Sequence, residues 1–321
     1  MRKGKLIACA LGALGTIALL LGAGVASAQG AAGGGDQAKP GADLVMRGDA
    51  KCTRCHDAES APQVLQIGKT KHGTRADQRT PTCTTCHGES DTHANNPMSA
   101  KPDRIFKRNN ETTPSEEQNA TCLGCHESGN RIHFQGSAHE RARLACASCH
   151  TVHAERDQVL VKATQAGVCF TCHKDKRAEM FRFSSHALRT GWMSCSSCHN
   201  PHGSVAEHNL IRNTVNETCY QCHADKRGPF LWEHPPVRES CAECHNPHGS
   251  NVPMMLKVRP PYLCQQCHIA PFHPSTQYSG SNLPRPGTPT GAFDKMLGQQ
   301  CANCHSKIHG SNHPSGARFT R

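Results

Sequence analysis

Residues Cys219–Gly249 read CYQCHADKRGPFLWEHPPVRESCAECHNPHG. Two copies of Cys-x-x-Cys-His bracket a lone His234, and the second copy runs into Asn-Pro-His-Gly. Cys169–Gly203 follows the same plan, with Asp175-Lys176-Arg177 after the first motif, His186 in the middle and His202 in the closing Asn-Pro-His-Gly. Cys122–His153 keeps the skeleton. The repeating unit is therefore a doubled motif carrying four histidines, and it fits five times along the chain. A unit of that size repeated in series predicts an extended, quasi-linear array in which each unit touches its neighbours.

The ten motifs begin at Cys52, Cys83, Cys122, Cys146, Cys169, Cys195, Cys219, Cys241, Cys264 and Cys301, and they take up 20 of the 21 cysteines. The second thiols are Cys55, Cys86, Cys125, Cys149, Cys172, Cys198, Cys222, Cys244, Cys267 and Cys304. The motif histidines are His56, His87, His126, His150, His173, His199, His223, His245, His268 and His305. Cys-x-x-Cys-His is the attachment signature of c-type haem: two thiols form thioethers to the porphyrin, and the adjacent imidazole reaches the iron. Zinc knuckles share one metal between two Cys-x-x-Cys pairs and have no use for a histidine after each. A disulfide framework has no use for it either. Ten covalently bound haem c groups are expected.

The sixth iron ligand separates a carrier from an enzyme. Thirteen of the 23 histidines lie outside the motifs, and the repeat singles out ten. The lone histidine of each unit is His72, His139, His186, His234 or His273, and the one after each second motif is His93, His153, His202, His248 or His309. Ten free imidazoles for ten irons predict bis-histidine closure throughout, although sequence does not say which serves which haem. An iron closed on both faces has no vacancy for substrate and suits electron transfer, not turnover. His133, His208 and His313 are left over as surface residues. His309 is preferred to His313 because its distance past His305 nearly matches that of His202 past His199.

Composition fits this reading. Aromatic residues make up 4% of the chain and the mean hydropathy is −0.60, so side chains alone offer little to offset chain entropy. The expected fold is a multihaem cytochrome c, short α-helices and long loops wrapped round a linear chain of ten haems, with almost no β-structure. Helices are expected near Glu140–Ser148 and Glu179–Leu188. Trp192 and Trp232 are expected to pack against porphyrin, and the Asp-Lys-Arg turns to be solvated.

Residues 1–28 read as a secretory signal: Arg2, Lys3 and Lys5 lead an apolar run that closes on Ala26-Ser27-Ala28. Cys9 is discarded with it. The remaining organisation is a flexible leader at 29–51, two-haem units at 52–96, 122–168, 169–218, 219–263 and 264–321 (the last with a tail), and a polar, irregular connector at 97–121. Pro274–Gly291 reads as a loop. The formal charge of +11 falls to +8 once residues 1–28 leave. Each haem with ionised propionates offsets about one positive charge. The basic surplus then balances cofactor, and no nucleic-acid partner is expected.

The run Thr214–His223 with Lys226-Arg227-Gly228-Pro229 and Leu231-Trp232-Glu233-His234, together with Cys195–Ser204, Leu263–His268 and the ending His309–Gly316, resembles the MtrA/DmsE-type decahaem c-type cytochromes. The resemblance implies a Sec-exported protein of the Gram-negative periplasm, associated with the outer membrane. It implies conduction of electrons across the periplasm and outer membrane for extracellular, anaerobic respiration. The implied partners are an outer-membrane β-barrel porin that houses the cytochrome, a periplasmic or inner-membrane cytochrome as donor, and an extracellular multihaem cytochrome or reductase. A free periplasmic shuttle or store is the alternative, and a multihaem reductase is a further one. A reductase needs an open iron, and all ten motifs here end in His.

Overall fold

A computed structural model describes residues 41–44, 47–75, 79–107, 112–268, 301–314 and 316–320. The signal segment, His273 and the Pro274–Gly291 loop lie outside these.

Helices are short and loops long. The longest helix among the described residues is Ser115–His126, at 12 residues. Lys162–Cys169 has eight and Lys174–Met180 seven. Among the described residues β-pairing is limited to isolated bridges, Ser184 with Ser250, His199 with Leu210, Trp232 with Ser311 and His245 with Leu256. No described helix is long and apolar enough to cross a membrane.

Local chemistry sets where each turn starts. Thr82 accepts from the Thr85 amide in a reciprocal capping box ahead of helix Cys83–His87. Ser137, Thr214 and Ser240 cap the turns that follow them through their hydroxyls. Pro114 precedes helix Ser115–His126, and Glu116 and Glu117 lie in its first turn, where the helix dipole favours negative charge. That helix begins inside the connector at 97–121 expected to be irregular. The expected helix near Glu140–Ser148 is split. It runs over Ala138–Arg141 and stops as Arg143 turns left-handed (φ 55°), and a separate 3-10 turn covers Cys146–Ser148. The one expected at Glu179–Leu188 forms earlier, at Lys174–Met180. Ser184 instead exchanges backbone hydrogen bonds of 2.9 and 2.8 Å with Ser250, which claims the groups a continuing helix would need.

Buried apolar side chains are few: Ala61, Phe134, Ala145, Val159, Met180, Leu188 and Leu256. Buried polar residues outnumber them, and the most enclosed large side chains are Gln118 and Thr113. Hydrogen bonds, not apolar packing between side chains, therefore carry the ordering. Gln118 shows how. Its Nε2 donates to the carbonyls of Lys107 and Thr113, and its Oε1 accepts the Lys107 amide, so all three bonds tie the preceding segment to helix Ser115–His126.

One polar clamp recurs. Asn216, three residues before Cys219, accepts the Cys241 amide at 2.7 Å and donates to the carbonyls of Val237 and Arg238. Asn119, three before Cys122, accepts the Cys146 amide at 2.8 Å and donates to the Leu144 carbonyl. Asp49, three before Cys52, accepts the Cys83 amide at 2.9 Å. Gln165 plays the part for Cys169 by accepting the Ser196 amide at 2.9 Å. Each clamp binds the start of one motif to the start of the next, which makes the doubled motif a physical unit.

The glycine of Asn-Pro-His-Gly marks the junction between units. At Gly249 (φ 130°) a Cβ would lie 2.3 Å from the Glu179 carbonyl oxygen. At Gly203 (φ 98°) it would lie 2.2 Å from that of His133. Only glycine allows both the backbone angle and the approach.

Candidate functional site

Every described motif closes as one helical turn. The His173 amide donates to the Cys169 carbonyl at 3.0 Å, and the same bond runs from His56, His150, His199, His223, His245, His268 and His305 to the first cysteine of each. The turn sets both thiols and the imidazole at the fixed offsets that a covalently attached porphyrin requires.

The first cysteines of the two motifs in a unit meet. Thiol hydrogen bonding joins Cys52 to Cys83, Cys122 to Cys146, Cys169 to Cys195 and Cys219 to Cys241. Within each pair the contact lowers the pKa of one thiol, that of Cys52, Cys146, Cys195 or Cys241, and raises that of its partner. The two attachment points of each unit are therefore adjacent.

Nine of the ten motif histidines stand against a second histidine ring. The pairs are His56 with His93 at 6.2 Å between centres, His126 with His72 at 5.9 Å, His87 with His153 at 6.2 Å, His173 with His139 at 6.2 Å and His150 with His202 at 6.1 Å. They continue with His223 and His186 at 6.5 Å, His199 and His248 at 6.0 Å, His268 and His234 at 6.0 Å, and His245 and His309 at 6.2 Å. These separations are too wide for ring-on-ring contact at van der Waals distance. A metal ion bound by two imidazole nitrogens at about 2.0 Å each would put the ring centres about 6 Å apart. The residues thus fit a hexacoordinate iron with one imidazole on each face. Among the described residues no group of three or more His, Cys, Asp or Glu is arranged to hold a metal ion.

The pairing crosses units. A lone histidine faces the first motif of the next unit: His72 faces His126, His139 faces His173, His186 faces His223 and His234 faces His268. A closing histidine faces the second motif of the previous unit, as His153, His202, His248 and His309 do. Among the described residues only His56 and His93 pair within one unit. His273, the remaining candidate, lies outside the described residues, as does any partner it gives His305.

Hydrogen bonds aim the rings. Nδ1 of His139 donates to the Pro201 carbonyl at 2.6 Å, that of His186 to Pro247 at 2.9 Å and that of His234 to Ile308 at 3.0 Å. Each acceptor precedes the closing histidine of the next unit, so one contact both orients a ring and joins two units. Nδ1 of His87, His93, His153, His199, His245 and His305 likewise donates to the carbonyls of Arg104, Ala100, Val64, His208, Met254 and Arg318. A protonated Nδ1 leaves the Nε2 lone pair for a metal. Burial also holds His87, His202, His248 and His309 below the ordinary histidine value, favouring the neutral, ligating form.

The three spare histidines act through their backbones. The His208 carbonyl receives His199, the His133 carbonyl lies against Gly203, and the His313 carbonyl accepts the Trp232 indole N–H at 2.9 Å. Trp232 is thus tied across a junction to the tail, while Trp192 is 82% exposed. In the charged turns, Lys176 pairs with Glu179 at 3.1 Å and Asp175 at 3.3 Å, and Lys226 pairs with Asp225 at 2.7 Å. The Asn119 and Asn216 clamps went unread in the sequence, although their constant place three residues before a first cysteine was a signal available there.

Segments 186–228 and 234–271 each match the doubled CXXCH motif family. Residues 83–165 match the cytochrome c-type protein NrfB-like family. The chain is 44% identical to the multiheme cytochrome MtrA of Shewanella baltica over 282 residues, covering 86% of this chain and 82% of that one. It is 30% identical to the cytochrome c-type protein NrfB of Escherichia coli over 140 residues, 40% of this chain and 67% of the relative. Against the NrfB of Haemophilus influenzae the figure is 28% over 149 residues, 39% and 65%.

Proposed function

Starting from the chain's membership of the MtrA family of multihaem c-type cytochromes, which bind haem covalently through Cys-x-x-Cys-His and transfer electrons, we propose that it carries ten haems and conducts electrons between the periplasm and the outside of the cell. The ten pairs of motif thiols hold the porphyrins. Nε2 of each motif histidine would hold an iron, with His72, His93, His139, His153, His186, His202, His234, His248, His273 and His309 as the second ligands. Haem, when bound, would supply a one-electron couple, and two imidazoles offered to each iron would leave no open position for a substrate, which supports a carrier.

The observation that carries this reading is the series of nine ring pairs, eight of which link one unit to its neighbour. A ring whose Nδ1 is held by a backbone carbonyl, as in nine of the described histidines, changes position little when charge changes, which keeps reorganisation small. The units run from 52–96 to 264–321 without a break in the pairing between described residues.

The proposed setting is the periplasm of a Gram-negative cell after removal of residues 1–28. There the chain sits within an outer-membrane β-barrel, whose polar lumen admits a surface that lipid would not. A periplasmic or inner-membrane cytochrome and an extracellular multihaem cytochrome or reductase would exchange electrons at its two ends. The test is fractionation of cells expressing the tagged chain. Co-purification with a β-barrel from solubilised outer membrane, and release to the soluble periplasm when that barrel is deleted, is the expected result. A chain found wholly soluble in both strains would leave a free shuttle in place of the conduit.

A further inference from the structure

Ten histidine rings among the described residues have an Nδ1 hydrogen bond, and nine of these end on a backbone carbonyl. The tenth does not. Nδ1 of His150 donates to the Asp157 carboxylate, 2.7 Å away at Oδ2.

The neighbouring loops show the substitution. After His199 and His245 the chain turns left-handed at His208 (φ 55°) and Met254 (φ 58°), which brings their carbonyls to Nδ1. No residue from 151 to 161 has positive φ, and an acidic side chain stands where a carbonyl stands elsewhere. Asp157 is fixed in place. Its Oδ1 accepts the amides of Thr151 at 3.3 Å and Val159 at 3.4 Å, and its side chain is 14% exposed. Among the described residues it makes no ion pair with Lys or Arg. Glu179, the other carboxylate beside a paired ring, lies 3.5 Å from His248 Nδ1 and is shared with Lys176 at 3.1 Å, so its charge is already answered.

A carboxylate draws the Nδ1 proton more strongly than a carbonyl does and gives the imidazole part of the character of an imidazolate. Nε2 then becomes a stronger donor, and a stronger donor favours the oxidised metal. We propose that Asp157 is the potential-setting residue of the site built by His150 and His202, holding it lower than the carbonyl-bonded sites would otherwise be and making it a step that electrons populate late. Asp157 touches the ligand and not the iron, so its role is one of positioning and tuning. The inference rests on the ligation proposed above.

The experiment uses the full-length holoprotein and D157N, which keeps the shape and an acceptor oxygen but removes the charge. Haem counting and paramagnetic resonance come first. A wild-type protein without haem at Cys146 and Cys149, or with a high-spin iron, would fail the ligation reading itself. With ten low-spin haems in both proteins, a spectroelectrochemical titration is expected to show one of ten one-electron steps moved upward in D157N and the other nine unmoved. Superimposable titrations would mean that Asp157 only orients the ring, and the inference would fall. Should D157N lose its haem, near-infrared magnetic circular dichroism of the wild-type protein decides. One charge-transfer band displaced to higher energy supports the inference, and ten coincident bands overturn it.

Discussion

His309 stands 6.2 Å from His245, a histidine of the preceding unit, and not beside the motif histidine His305 four residues before it. The same displacement recurs at His202 with His150 and at His248 with His199. Each closing histidine serves backwards, so a change made in one unit should be felt in another.

Replacing His139 with Met should therefore alter the haem attached at Cys169 and Cys172, and not one attached within its own unit. Methionine ligation favours ferrous iron, so the potential of that haem should rise. H208M, whose ring is not among the paired ones, should leave the spectrum unchanged. Low-temperature paramagnetic resonance with redox titration reads both. A shift confined to the haems at Cys122 or Cys146 would refute the crossed pairing.

Mass spectrometry of the exported protein should find ten covalent haems on a chain that begins at Gln29. Resonance spectra should contain low-spin ferric signals only. Zinc, or fewer than nine haems from cells with a competent attachment system, would contradict the count.

The clamp at Asn216 makes three hydrogen bonds while 7% exposed. Asn216→Leu keeps the size and strands the Cys241 amide and two carbonyls, at a cost of about 2–3 kcal/mol. Denaturant titration should show the loss. An unchanged midpoint would mean that the motifs are held together by something else.

Gly249→Ala sets a Cβ against the Glu179 carbonyl at a left-handed angle and should cost about 1–3 kcal/mol. Gly167 lies in helix Lys162–Cys169 and a Cβ there meets nothing within 4 Å. Gly167→Ala should stabilise by about 0.5–1 kcal/mol. Thermal melts of the two variants should move in opposite directions.

How much of this was legible in the sequence follows from range. Cys-x-x-Cys-His acts within one helical turn, so attachment could be read from spacing, and the family from the runs around the motifs, such as Leu231-Trp232-Glu233-His234. Nine of the ten second histidines singled out by their place in the repeat stand against a motif ring, and His273 lies outside the described residues. Their partners could not be read in this way, because His139 reaches a ring beyond its own unit and orients on Pro201, 62 residues away, and no local pattern encodes that distance. The helix expected over Glu179–Leu188 failed for a related reason: Ser184 bonds to Ser250, and a contact of that length overrides local propensity. Nothing in the local sequence sets Asp157 apart from other acidic loop residues, and only the fold brings it against the His150 ring.

The exchange of rings between neighbours has a consequence for how such a chain can change its length. Each junction presents the same offer and the same need, a forward-facing His139, His186 or His234 and a backward-facing His202, His248 or His309. A whole unit copied into any junction would find partners on both sides. Half a unit would leave an imidazole without its opposite number. Growth by duplication is therefore quantised in doubled motifs, and only the ends need special solutions, as His93 folding back on His56 shows at the first.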